Sequence, residues 1–182
     1  MSQLRFRGVL GEGGAGIVYD GYWQGRKVAI KKLTGHFTHA ADHEMQLISR
    51  LQHDNVIRYY TMEKTNTAVF LVMELVLGGT LFEYIHREFQ QRNYWIISHQ
   101  ILRDIANGMN YLHGQRIVHG DLKSSNILLR KYSNQAVICD FGLSKTLNTA
   151  QTQMMKTGSF VPGKYCLKFN RIIILLSIGT TR

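Results

Sequence analysis

The chain has 182 residues, of which 45% are hydrophobic and 19% charged, enough apolar material for a substantial core in one or two domains. Its formal net charge of +10 comes from 22 Lys and Arg against 12 Asp and Glu. These are scattered without a dense basic run, which argues against a dedicated nucleic-acid or membrane surface and fits a basic exterior suited to nucleotides or acidic substrates. Cys139 and Cys166 give no disulfide framework, and Cys139 sits in an apolar strand-like run, so a reduced thiol and a cytoplasmic setting are expected. Arg5 and Arg7 interrupt the early apolar stretch, so no signal peptide is expected. Ile172 to Ile178 falls short of the roughly 20 residues needed to span a bilayer, which predicts no membrane insertion.

In chain order, Leu4 to Leu10 alternates as a half-exposed strand, and Ile17 to Trp23 reads as a second. Gln24-Gly25 turns the chain into a third, Lys27 to Leu33. A helix is expected from about Ala40 to Gln52, with Thr38 as N-cap and Asp42 and Glu44 in its early turns. Val56 to Thr61 and Val69 to Leu75 complete a five-strand pattern, and one helix among five strands predicts a small α+β lobe. Leu77-Gly78-Gly79-Thr80 marks a boundary, after which the pattern turns helical. Leu81 to His86 is a short helix, and Ile97, Ile101, Ile105 and Leu112 form one apolar stripe along a longer one, capped by Asn93 or Ser98.

Three groups of residues carry chemistry. Gly11, Gly13 and Gly16, followed by Val18, form a G-x-G-x-x-G loop whose bare backbone admits phosphate oxygens closely. Because a strand rather than a helix follows, and Val28-Ala29-Ile30-Lys31 comes next, the loop does not suit a dinucleotide fold. Lys31 can neutralise phosphates, and Glu44, on a core stripe with Ile48 and Leu51, needs a cationic partner that Lys31 would supply. Last, His119-Gly120-Asp121-Leu122-Lys123-Ser124-Ser125-Asn126 and the later Asp140-Phe141-Gly142 place a proton acceptor and two metal-binding side chains around a short hairpin. His36, His39 and His43 lack the cysteines or carboxylates that would complete a zinc site.

This order of glycine loop, lysine strand, helix glutamate, Val72-Met73-Glu74 connector and paired loop motifs resembles the eukaryotic protein kinase family over residues 4 to about 161. The resemblance implies a bilobal kinase-like α+β fold, with an N-lobe over residues 1–76, a partial, mainly helical C-lobe over 77–161 and an unrelated tail over 162–182. It implies ATP and Mg²⁺ as cofactors, with Met73 as gatekeeper, backbone hydrogen bonds to adenine from Glu74 and Val76, a roof of Val18 and Ala29 and a floor of Leu128. Asp121 would accept the substrate proton, Lys123 would stabilise the transferred phosphoryl group, and Asn126 and Asp140 would ligate Mg²⁺.

Lys123, two places after Asp121, resembles the serine/threonine form of the loop, and Leu51-Gln52-His53-Asp54-Asn55-Val56-Ile57 resembles the tyrosine-kinase-like branch of those enzymes. The implied partner is a protein with a Ser or Thr acceptor. Two departures stand out. Gly120 replaces the family's usual Arg, so a phosphate on Thr146, Thr149, Thr152, Thr157 or Ser159 would lack one anchor. Pro162-Gly163-Lys164-Tyr165 replaces the expected Ala-Pro-Glu region, as if the lobe were cut short. Two function classes follow: a protein serine/threonine kinase, or a nucleotide-binding or interaction module with weak or no catalysis.

Overall fold

The computed structural model describes residues 4–13, 16–33, 48–65, 68–88, 94–141, 164–169 and 172–177. The chain divides into two compact units, one of residues 1–53 and 57–76, the other of 54–56 and 77–182.

The first unit is built on a five-stranded antiparallel sheet, β1 (Leu4–Gly13), β2 (Gly16–Trp23), β3 (Arg26–Leu33), β4 (Tyr59–Lys64) and β5 (Val69–Glu74), in the order β1-β2-β3-β5-β4. Gln24 and Gly25, at φ 50° and 77°, make the tight β2–β3 turn that positive φ at both central residues permits. Val28, Ile30 and Val72 are fully buried on one face, beneath Leu4, Tyr19, Trp23, Tyr60 and Phe70. Val18, Ala29, Lys31, Leu71 and Met73 share the opposite face through the registers of β2, β3 and β5.

Two strand expectations are modified. The alternation in β1 breaks down, with Phe6 45%, Val9 62% and Leu10 50% exposed, because register shifts on either side of Val9 change which face each following residue occupies. The fourth strand begins at Tyr59 rather than Val56. Val56 instead forms a parallel bridge to Ile138 in the second unit, so its β-propensity is used by a different partner. The expected helix from Ala40 lies outside the described residues up to position 47, as do Thr38, Asp42 and Glu44; its last turn closes with Leu51 N–H donating to the Ile48 carbonyl at 3.1 Å.

The second unit contains α1 (Leu81–Glu88), α2 (Tyr94–Gly114), a 3₁₀ turn (Ser124–Asn126) and the β6–β7 hairpin (Ile127–Leu129, Ala136–Ile138). Thr80 and Glu83 make a reciprocal capping box at α1: Thr80 N–H donates to Glu83 Oε2 at 2.8 Å, and Glu83 N–H to Thr80 Oγ1 at 3.1 Å. The glycine connector before it is packed. A Cβ at Gly78 would lie 2.1 Å from the Leu129 carbonyl oxygen, so glycine lets β6 approach. Ser98 lies inside α2 rather than at its start, and Asn93 lies outside the described residues. Ile101, Ile105, Met109 and Leu112 form the buried stripe of α2. The helix ends in a Schellman motif, with Ile117 N–H donating to the Leu112 carbonyl and Arg116 N–H to that of His113, both at 2.8 Å, and Arg116 at φ 60°. Strands β8 (Lys164–Phe169) and β9 (Ile172–Ser177) pair as an antiparallel hairpin. Among the described residues, no helix is long and apolar enough to cross a membrane.

The strut that positions the hairpin is Asn55. Its Nδ2 donates to the Ala136 carbonyl at 2.9 Å, and its own carbonyl accepts Ile138 N–H at 2.9 Å. Gly108 of α2 makes room for it, since a Cβ there would lie 2.6 Å from the Asn55 oxygen and 2.8 Å from Ile138 Cδ1. Gly108→Ala sets a helix-propensity gain of about 1 kcal/mol against overpacking that costs about 1–3 kcal/mol. The net is a loss of up to about 2 kcal/mol, expected near the upper end because the closest clash is with backbone. Urea unfolding should show a lower midpoint for Gly108→Ala and no loss for Asn107→Ala on the exposed face.

Candidate active site

In the second unit the sequence motifs converge on one loop. His119 is 1% exposed, and its Nε2–H donates to the Cys139 carbonyl at 2.9 Å while Nδ1 accepts Asp121 N–H at 3.3 Å. One donor and one acceptor nitrogen define the neutral ring. Burial pushes the imidazole pKa below its ordinary value, outweighing the opposing pull of its hydrogen bonds and of Asp121 and Asp140, so the ring stays neutral. The Phe141 ring, fully buried, meets it edge-on at 6.3 Å.

Asn126, 7% exposed, closes the other side. Its Nδ2 donates to the Asp121 carbonyl at 2.7 Å and to Asp121 Oδ2 at 3.1 Å, while its own carbonyl accepts both Cys139 N–H at 3.0 Å and Cys139 Sγ–H at 3.3 Å. The 3₁₀ turn brings it there, with Asn126 N–H donating to the Lys123 carbonyl at 2.9 Å. Asp140 follows Cys139 at φ 60°, a left-handed conformation that Asp tolerates better than most residues.

Asp121 is the loop's exposed carboxylate. Lys123 Nζ lies 2.7 Å from its Oδ2, with the two side chains 51% and 52% exposed. The Lys123 hydrogen bond, reinforced by its charge and by Asn126, holds the carboxyl below the usual carboxylate range against modest burial. At such exposure the pair adds little to stability. Its effect is to keep Asp121 ionised. The sequence reading anticipated both residues but not their pairing.

In the first unit, Gly11 and Gly13 have open space where a side chain would stand, and Gly13 pairs with Gly16 across the β1–β2 hairpin. At Gly16, φ 120°, a Cβ would collide with the Lys32 carbonyl oxygen at 2.1 Å, so glycine is obligatory. The loop is therefore strand-turn-strand. Lys31 is 5% exposed, directly opposite Val18 and Leu71, on the face that also carries Ala29 and Met73. Glu74 N–H donates to the Arg58 carbonyl at 2.9 Å, and Val76 ends this unit. Leu128 belongs to the second unit, half-buried and bridged to Thr80. Glu44, Gly142, the threonines from 146 onward and the Pro162-Gly163 break lie outside the described residues.

The arrangement as a whole matches a family. Residues 4–165 fit the protein kinase domain, and the chain belongs to that family. It is 35% identical over 162 residues to a probable serine/threonine-protein kinase of Dictyostelium discoideum, covering 86% of this chain and 17% of that protein. It is likewise 35% identical to cysteine-rich receptor-like protein kinase 29 of Arabidopsis thaliana, over 86% of this chain and 24% of the relative. A serine/threonine-protein kinase/endoribonuclease, ire-1 of Caenorhabditis elegans, is 33% identical over 81% of this chain and 16% of its own length. The chain thus spans a quarter or less of the curated relatives named here.

Replacing Lys123 tests the electrostatics of the loop. In Lys123→Met the Asp121 carboxyl should titrate at higher pH than in the native chain, because the partner favouring its charged form is gone. Carboxyl-carbon NMR across an acid titration reads this directly, and an unmoved titration would show that Lys123 is not the cause.

Proposed function

We propose that this chain is an ATP-dependent serine/threonine protein kinase domain of the tyrosine-kinase-like branch, whose sequence departs from the family's pattern at Pro162-Gly163. The observation that carries the reading is Asp121: an exposed, ionised carboxylate whose position is fixed from behind by Asn126 and His119. A carboxylate so placed can accept a hydrogen bond from a Ser or Thr hydroxyl, align it for in-line attack and take its proton as the new P–O bond forms and the bond to the ADP leaving group breaks. The depressed pKa makes Asp121 a weak base. Its main contribution is then orientation, with proton transfer late in the reaction.

Lys123 contributes positive charge beside the transferred group, and its ammonium can move from Asp121 to a phosphoryl oxygen without leaving the loop. Lys31, a buried ammonium on the sheet face shared with Val18, Ala29 and Met73, is the residue for the α- and β-phosphates, with Gly11, Gly13 and Gly16 as the backbone cover. Glu44 is assigned as the partner of Lys31 on the spacing of its core stripe. Glu74 and Val76 would offer backbone groups to adenine, and Leu128 would lie beneath it. Asn126 fits a hard cation, because its amide nitrogen is engaged with Asp121, leaving Oδ1 as the acceptor, and Asp140 adds a carboxylate. When bound, Mg²⁺ would supply charge neutralisation at the phosphates.

The serine/threonine assignment is supported by the Asp121-to-Lys123 spacing and by the names of the relatives. Gly120 supplies no guanidinium, which supports a loop geometry that does not depend on a phosphorylated activation segment. Cys139, a buried cysteine whose Sγ–H donates to the Asn126 carbonyl, supports a reducing, cytoplasmic setting. The break at Pro162-Gly163 favours a second reading, a nucleotide-binding module without transfer.

Purified chain with labelled ATP, Mg²⁺ and a generic protein substrate should transfer phosphate to Ser and Thr. Asp121→Asn should lower the rate by about 10²- to 10⁴-fold with ATP affinity retained, and Asp140→Ala should reach background. ATP binding with native transfer no higher than that of Asp140→Ala would overturn the kinase reading in favour of the module.

A further inference from the structure

The face of the five-stranded sheet opposite Lys31 carries a group of side chains that the kinase reading leaves unused. Trp23 and Tyr60 lie nearly parallel, with centroids 6.0 Å apart and 12° between their planes. Two guanidinium groups converge on the same tyrosine, with Arg26 Cζ 5.0 Å and Arg58 Cζ 5.8 Å from the ring centroid. Both arginines are exposed, and neither lies within ion-pair distance of a carboxylate among the described residues. Glu74 stands on this face opposite Val28, a register step short of Arg26.

Cation–π contact explains why each arginine alone would rest on Tyr60. It does not explain two. Like charges brought to one ring repel, and an anion between them would turn that repulsion into two charge-assisted contacts. The surroundings say what kind of anion. Along the same face the sheet continues into an apolar rim, where Phe6, 45% exposed, packs edge-on against Tyr19 and Phe70 at 5.3 Å each. A ligand that matches the whole surface has carboxylates at one end and apolar side chains at the other. Trp, Tyr and Arg, here two half-buried rings beneath two exposed guanidinium groups, are also the residue types that dominate binding energy at protein interfaces. Nucleic acid fits less well, because Tyr60, the ring at the centre of the charged group, is already flanked by Trp23 and the guanidinium groups.

We propose that this outer sheet face, anchored by Arg26, Arg58, Tyr60 and Trp23, is a docking surface for an acidic, aromatic-containing peptide segment of a partner protein. Such a surface would recruit a partner to the kinase unit without occupying the nucleotide or hydroxyl sites.

The test uses the full chain and a short fluorescein-labelled peptide alternating Glu with Phe, against the same peptide with Lys for Glu. Anisotropy should show binding of the acidic peptide alone, weakening with salt. Arg26→Glu with Arg58→Glu should weaken it by at least about tenfold, and Arg58→Gln, a milder change that spares the fold, should weaken it partially. ATP affinity, measured on the same samples, should be unchanged in both variants and certifies folding. Equal binding of both peptides, no binding of the acidic peptide, or undiminished binding to the charge-reversed variant would each overturn the proposal. Displacement of the acidic peptide by single-stranded DNA of any sequence would overturn it in favour of a nucleic-acid surface.

Discussion

The candidate catalytic loop depends on one peptide unit, that of Cys139. Its carbonyl accepts the buried His119 imidazole and its N–H donates to the Asn126 carbonyl, so the two ends of the loop that carries Asp121 are tied to the same strand end. Each of these groups is buried, and a buried donor or acceptor left unpaired costs about 1–3 kcal/mol. Losing one bond therefore strands the others. That coupling makes the loop behave as a unit rather than as a run of independent side chains. It also accounts for a neutral His119: a protonated ring would have no acceptor role at Nδ1 and would release Asp121 N–H.

The same logic extends one layer deeper. Cys139 is placed by β7, and β7 is placed by Asn55, whose side chain and backbone bond to Ala136 and Ile138, and by Asp104, whose Oδ2 accepts Ala136 N–H at 2.9 Å. β7 is only three residues long, too short to fix itself by pairing with β6 alone. Its third support is the steric gap at Gly108. A segment distant in sequence, residues 54–56, thus belongs to the second unit because it supplies the edge that β7 lacks.

Much of this was legible in the sequence, and the failures have a common cause. The five strands, the Gln24-Gly25 turn and the long helix follow from periodicity and local turn chemistry, which act over a few residues. Assigning Val56 to a strand of the first sheet failed because its propensity was satisfied by a nonlocal partner, Ile138. The Thr80-to-Glu83 capping box, a T-x-x-E pattern left unread in the sequence, explains why Gly79, at φ 78°, precedes Thr80: a Cβ there would stand 2.7 Å from Glu83 Oε2. The spacing of Asp121, Lys123, Asn126 and Asp140 carried the family resemblance that implies their roles. The Lys123–Asp121 ion pair and the Asn126 bridge were not legible, since both depend on how a 3₁₀ turn folds the chain back on itself.

What separates the chemistry-bearing groups from the supporting ones is where the fold tolerates discomfort. Gly120 and Asp140 both adopt left-handed backbone, at φ 79° and 60°. At Gly120 this costs nothing in strain, because glycine has no Cβ. At Asp140 a carboxylate is held in a sparsely populated conformation directly beside the Cys139 tie, a cost of about 1–3 kcal/mol that the surrounding bonds must offset. A structural residue would be expected to relax to glycine or asparagine there. An aspartate there is consistent with the proposed role in which its carboxylate, rather than its backbone, is what the position requires. Asp121 makes the complementary case: it gives up burial so that its carboxylate faces solvent, while Asn126 and His119 accept burial to aim it. The loop thus buries its neutral amide and imidazole and keeps the Asp121–Lys123 ion pair at the surface.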